Sequence, residues 1–175
     1  MKKIKQHYFF ALWPDKRLQQ HYAKFAHQYL DDLDGKFIPT HNIHITLSFL
    51  GELNSNQLKA AKHIAGTIKT DCFTLTLDRL GFWKGPRVVW ISSNIVPKSL
   101  IELETTLQQK LQENEFEIDQ RAYKPHMTLM RKTRSKPGNI QFKPVEWQVE
   151  NFVLVRSTLE ETGSIYDVIE QWSLI

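Results

Sequence analysis

The chain has 175 residues, 41% of them hydrophobic and 24% charged, with a net charge of +4. That is one domain's worth of chain, apolar enough to bury a core and too ordinary in charge to be disordered. The single cysteine, Cys72, excludes an intramolecular disulfide and a cysteine-based zinc site, and the mild positive charge suits an anionic ligand without naming one.

The opening MKKIKQHYFFALWPDKR has a basic head, but its apolar run is short and no small-residue cleavage site follows. No stretch approaches the roughly 20 apolar residues of a membrane span. A cytoplasmic protein without membrane contact is expected. HYFFALW reads as a strand, and Pro14 then opens a helix to about Leu30, with Leu18, Tyr22, Phe25, Ala26 and Tyr29 on one face. Gly35 and Pro39 mark a loop. NIHITLSFL is a strand ending at Gly51. A second helix runs from about Ser55 to Ile68, with Leu58, Ala61, Ala65 and Ile68 inward. Cys72 is expected as a packed core thiol.

FTLTLDRLGFW alternates as one strand, turns at Lys84–Pro86 and pairs with RVVWIS as a hairpin. Ser99 and Glu102 have the spacing of a capping box. The helix they open carries Leu100, Leu103, Leu107 and Leu111 inward. PHMTLM is the next strand, Arg134–Pro144 reads as a mobile loop, and WQVENFVLVRST and SIYDVIEQW finish as two strands. Strand pairs beside single helices predict an α+β protein with largely antiparallel sheets, one domain over residues 1–175. No linker separates independent domains. A coarse repeat, one histidine strand in each half, predicts two lobes across a central cleft.

The repeat is the phrase His-x-Thr-Leu, at His44–Leu47 and again at His126–Leu129, with the histidines 82 residues apart. Side chains alternate along a strand. Ile43, Ile45, Leu47 and Phe49 are therefore expected on one face, with His44, Thr46 and Ser48 on the other. In the second copy Pro125, Met127 and Leu129 oppose His126 and Thr128. Two residues along a strand span about 7 Å, so one imidazole and one hydroxyl can touch a single tetrahedral group. A neutral histidine can take a proton from a nucleophile while a protonated one gives a proton to a leaving oxygen. Threonine hydroxyls can donate to the non-bridging oxygens of a phosphate.

Either histidine alone is more simply a structural residue; the repetition is what points to chemistry. A metal site fits poorly, because threonine is a weak ligand, neither phrase has HExxH spacing and no carboxylate lies within them. His21, His27 and His63 fall on helices as surface residues, and His41 falls in a loop. Arg87, Trp83 and Trp90 have the chemistry to contact a phosphate or an unpaired base, although most strand tryptophans are core.

On FFALWP, NIHITLSFLGE, TLTLDRLGFWKGPRVVW and PHMTLMR, the sequence resembles the 2H phosphoesterases, and within them the bacterial RNA 2′,3′-cyclic phosphodiesterases, or 2′-5′ RNA ligase family. The likeness covers essentially the whole chain. It implies a bilobal α+β fold with one motif per lobe lining the cleft. The implied activity is hydrolysis of a terminal 2′,3′-cyclic phosphate on RNA to a 2′-phosphomonoester, with an associated reversible 2′-5′ ligation, and needs neither metal nor cofactor. By motif match His44 is the proton donor, His126 the proton acceptor, and Thr46, Thr128 and Arg131 bind the phosphate. The implied partner is RNA with a cyclic phosphate end, tRNA halves among the candidates, with no obligate protein partner. Two departures stand out. His7 lies near where the family often has an arginine, and strict alternation puts Arg131 opposite His126 unless the strand bends. Other readings are a related enzyme for a small cyclic nucleotide or a 2′-5′ oligonucleotide, and an RNA-end binding module without catalysis.

Overall fold

The computed structural model describes residues 5–161 and 163–175. Residues 1–4, part of the basic head, lie outside the described residues. Ten strands and three helices follow one another as β1 (Gln6–Leu12), α1 (Lys16–Leu30), β2 (Lys36–Phe37), β3 (Ile45–Gly51), α2 (Ser55–Gly66), β4 (Phe73–Leu77), β5 (Arg79–Trp83), β6 (Val88–Ser92), α3 (Lys98–Glu113), β7 (Met127–Arg131), β8 (Val145–Val149), β9 (Asn151–Glu160) and β10 (Gly163–Ser173). Seven strands form a continuous sheet in the order β10-β9-β1-β3-β7-β6-β5, with β2 added alongside β7, and β4 pairs with β8 in a separate two-stranded sheet. Every pairing is antiparallel. The α+β class with antiparallel sheets is as expected.

One face of the large sheet buries the main core. Phe10 and Leu12 from β1, Ile45 and Leu47 from β3 and Leu129 from β7 pack there against Tyr22 of α1, Ala61 of α2 and Leu100, Leu103, Leu107 and Leu111 of α3. β4 and β8 contribute Phe73, Leu75 and Val149 to the same core. Full burial of each large aliphatic side chain stabilises by about 1.5–3 kcal/mol, which fixes the helices on this face. The opposite face carries a small cluster of Phe9, Ala11, Val153 and Val155, with Trp13 and Tyr166 against it. Among the described residues no helix is long and apolar enough to cross a membrane.

Several local expectations are corrected. FTLTLDRLGFW is two strands, broken at Asp78, and WQVENFVLVRST is two, broken near Glu150; each chain segment leaves the small sheet there and enters the large one. At each break two polar residues stand together, Asp78-Arg79 and Glu150-Asn151, and interrupt the alternation. The Ser99–Glu102 capping box does not form. The helix begins two residues earlier, with Pro97 at the N-cap position and no side-chain cap. A reciprocal capping box instead opens α2, where Asn54 accepts from the Gln57 backbone and the Gln57 side chain accepts from the Asn54 N–H. Asp15 caps α1 by accepting from Leu18 N–H. The segment around Gly35, read as loop, includes strand β2. The segment Arg134–Pro144, read as mobile, is pinned: Asp34 accepts from the Arg134 backbone, and Phe142 packs edge-on to Phe25 at 5.0 Å. Cys72 is partly buried against the core.

Candidate active site

Each histidine of the repeated phrase stands one residue before its strand, His44 before β3 and His126 before β7. Each ring is held in the same way. His44 Nδ1 lies 2.6 Å from the Asn42 carbonyl oxygen, and His126 Nδ1 lies 2.8 Å from that of Lys124. A carbonyl only accepts, so Nδ1 carries a hydrogen in both rings, and Nε2 is the nitrogen left to exchange a proton. In the neutral ring His44 Nε2 accepts from Thr46 Oγ1 at 3.1 Å. The two strands are neighbours but share only one register pair, Ile45 with Met127. Carried one residue to either side, that antiparallel register sets His44 beside Thr128 and Thr46 beside His126. All four line one cavity of about 610 Å³, together with Arg131. The five residues singled out from sequence are therefore brought to one place.

Arg131 reaches that cavity because β7 is bulged. Trp90 of β6 pairs with Thr128 and Val89 with Met130, so Leu129 is skipped. The extra residue reverses the alternation beyond it, burying Met130 completely and turning Arg131 to the cavity face. The first motif repeats the device. Ala11 of β1 pairs with Thr46 and Phe10 with Ser48, so Leu47 is skipped. This corrects the strict alternation expected for β3: Ser48 is buried in the core and Phe49 is 51% exposed on the other face, paired with Phe9. Phe49 is thus the positional counterpart of Arg131.

The surroundings hold residues that sequence reasoning missed. Buried Gln19 of α1 donates to the carbonyls of His41 and Ile43, tying the helix to the segment before His44. Tyr123 Oη donates to the Thr46 carbonyl at 3.2 Å, and Ser92 Oγ to that of Pro125. Trp13 stacks on His44 with ring centres 5.2 Å apart, while Phe9 and Tyr166 close around the same ring. Trp83 meets His126 edge-on at 4.5 Å. The aromatic content of FFALW was the available signal, but which histidine it would meet depends on strand order. Trp90 is buried beneath Trp83, with Arg79 over its ring. Arg87 donates to the carbonyls of Lys132 and Thr133. His7 faces Glu52 at 3.7 Å and Phe49, while exposed His41 lines the cavity rim. Among the described residues no three His, Cys, Asp or Glu side chains cluster as a metal site.

A family model described as the 2′-5′ RNA ligase superfamily matches residues 14–161. The chain belongs to that superfamily. It is 30% identical over 171 residues to the RNA 2′,3′-cyclic phosphodiesterase of Escherichia coli K12, covering 97% of both chains. It is 29% identical to the protein of the same name from Methanocaldococcus jannaschii, covering 94% of this chain and 98% of that one. Among solved structures, E. coli LigT complexed with 3′-AMP superposes with a TM-score of 0.87 at 28% identity, over 97% of this chain and 98% of that chain.

In this member of the 2′-5′ RNA ligase superfamily burial makes both imidazoles poor proton holders. Burial pushes His44 down to about 4; the Asn42 carbonyl opposes this, while the charge of Arg131 and the second imidazole add to it. Burial also lowers His126, against the Lys124 carbonyl and with Arg131. An anion between them would oppose both shifts, because an opposite charge within a few ångströms favours the protonated ring.

Proposed function

We propose that this chain hydrolyses the terminal 2′,3′-cyclic phosphate of RNA to a 2′-phosphomonoester, using two histidines and no metal. On this reading His126 Nε2 takes a proton from water as it attacks phosphorus. His44 Nε2 gives a proton to the departing 3′ oxygen, and the P–O3′ bond breaks. Thr46, Thr128 and Arg131 meet the non-bridging oxygens, where charge builds. With an RNA 5′-hydroxyl in place of water, the same steps join two ends by a 2′-5′ linkage, the activity named by the matching superfamily. The two halves of the sheet, each contributing one motif, act as the two lobes. Cytoplasmic RNA ends, tRNA halves among them, are the proposed substrates, and no protein partner is required.

The observation that carries the proposal is the matched pair of imidazoles, each anchored through Nδ1 to a backbone carbonyl and both lining one cavity with two threonines. The names of the relatives supply the cyclic phosphate and the RNA. The motifs are too alike to set which histidine is the acid, so the direction of ring opening follows the resemblance. The test is product analysis on a short RNA ending in a 2′,3′-cyclic phosphate, by phosphorus NMR, with and without EDTA. A 2′-phosphate product at an unchanged rate in EDTA is expected. A 3′-phosphate would exchange the two histidine roles, and loss of activity restored by a divalent ion would overturn the two-histidine mechanism.

A further inference from the structure

The wall of the cavity holds more positive charge than one phosphate requires. Lys36 of β2 lies directly across the ladder from Arg131 of β7, and Lys132 follows Arg131 in the chain. All three line the cavity. Like charges placed opposite one another across a ladder repel. Among the described residues none of the three has a carboxylate within ion-pair distance. Asp34, two residues before Lys36, has its carboxylate engaged: Oδ1 accepts from Thr133 Oγ1 and from the Arg134 backbone, each at 2.8 Å. Lys132 itself sits at φ 63°, in the left-handed region that a lysine rarely adopts. Arg87, at φ 58°, holds the Lys132 and Thr133 carbonyls from the other side. The turn keeps three cations together and neutralises none of them, which is the arrangement an anion site needs.

The proposed reaction occupies Arg131 and the two threonines with the cyclic phosphate and leaves Lys36 and Lys132 unused. We propose that Lys36 and Lys132 form a second phosphate subsite, which takes the 5′-phosphate of the nucleotide whose cyclic phosphate sits between the histidines. The inference rests on the proposed function and deepens it. An RNA end carries a phosphodiester at that 5′ position; a free nucleoside 2′,3′-cyclic phosphate carries none. The subsite therefore distinguishes polymer ends from small cyclic nucleotides by one charge, without reading a base.

Adenosine 2′,5′-bisphosphate and adenosine 2′-phosphate differ only in the 5′ group, and their affinities can be compared by calorimetric titration. The wild-type protein is expected to bind the bisphosphate about 10–100-fold more tightly, from one or two charge-assisted contacts. The gap should narrow as salt is raised. Lys36→Gln and Lys132→Gln keep most of each exposed stem and should each narrow the gap, and the double variant should close it. Affinity for the 2′-phosphate should change by less than about threefold, since Arg131 remains. Equal wild-type affinity for the two ligands overturns the proposal, and so does a gap that survives in the double variant or an equal loss for both ligands. Turnover of a short RNA ending in a 2′,3′-cyclic phosphate by the wild type is read separately. Its failure would reject the proposed reaction while the binding comparison still decides the subsite.

Discussion

The two imidazoles are alike in what fixes them and different in what surrounds them. His44 is enclosed by Trp13, Phe9 and Tyr166, whereas His126 touches Trp83. If they act as acid and base, His44→Ala and His126→Ala should each lower the rate on a cyclic-ended RNA by roughly 10²–10⁴-fold. Thr46→Val and Thr128→Val keep the side-chain shape and should cost about 10–10³-fold. Steady-state kinetics on folded variants checks this, and more than half the wild-type rate in either histidine variant would reject the roles. The lowered proton affinities add a pH signature. kcat/KM reports the free protein, in which a charged imidazole becomes scarce above the lowered values, so it should decline as pH rises through neutrality. In the complex the phosphate raises both affinities, and kcat should hold to higher pH. Superimposable profiles would contradict the electrostatic account. The His and Thr pairs were legible because strand alternation is strictly local. The carbonyl anchors were not, because they depend on the path of backbone just before each strand.

At the scale of elements, what was hidden is where strands break their own rules. A bulge changes the count on one strand relative to its partner, and nothing in HITL or HMTL says that the leucine will be the skipped residue. Arg131 could therefore be placed in the site only by motif resemblance, against its phase, until the neighbouring strand was known. At Asp78-Arg79 the alternation does break, but which sheet each half joins depends on partners distant in the chain. Gly81 of β5 shows how closely the strands behind His126 are packed. A Cβ there would meet the Trp90 ring at 2.1 Å, and Trp90 supports Trp83, which touches His126. Gly81→Ala must push the indole aside, at a cost of about 1–3 kcal/mol for overpacking. A lower melting temperature with altered tryptophan emission is the expected result. A variant that melts and fluoresces like the wild type would show that the ring has room to yield.

For the whole molecule, the two buried imidazoles couple folding to pH. His44 and His126 bind protons less tightly in the folded state than in the unfolded chain, where histidine titrates near 6.5. Between that value and about 4, where folded His44 titrates, the unfolded chain holds more protons. Stability should therefore fall as pH falls through this window and be fully present above it. Thermal melts across the window should show the decline, shallower in His44→Asn and opposed by inorganic phosphate, which favours the charged rings. A His44→Asn variant with an unchanged pH slope would remove His44 from the linkage. The α+β class was readable at this scale because the apolar periods of three helices and most strands are long and regular. The separate β4–β8 sheet was not, since it is made by residues 68 or more positions apart.

The seam between β3 and β7 gives this architecture an unusual dependence on its ligand. The two strands share a single register pair, so the middle of the sheet has fewer of the ladder hydrogen bonds that join its other strands. The two imidazoles stand on opposite sides of that rung, His44 one residue before Ile45 and His126 one residue before Met127. A phosphate gripped from both sides would act as a staple, supplying across the seam the rungs that the protein leaves out. Substrate would then complete the sheet as well as react on it.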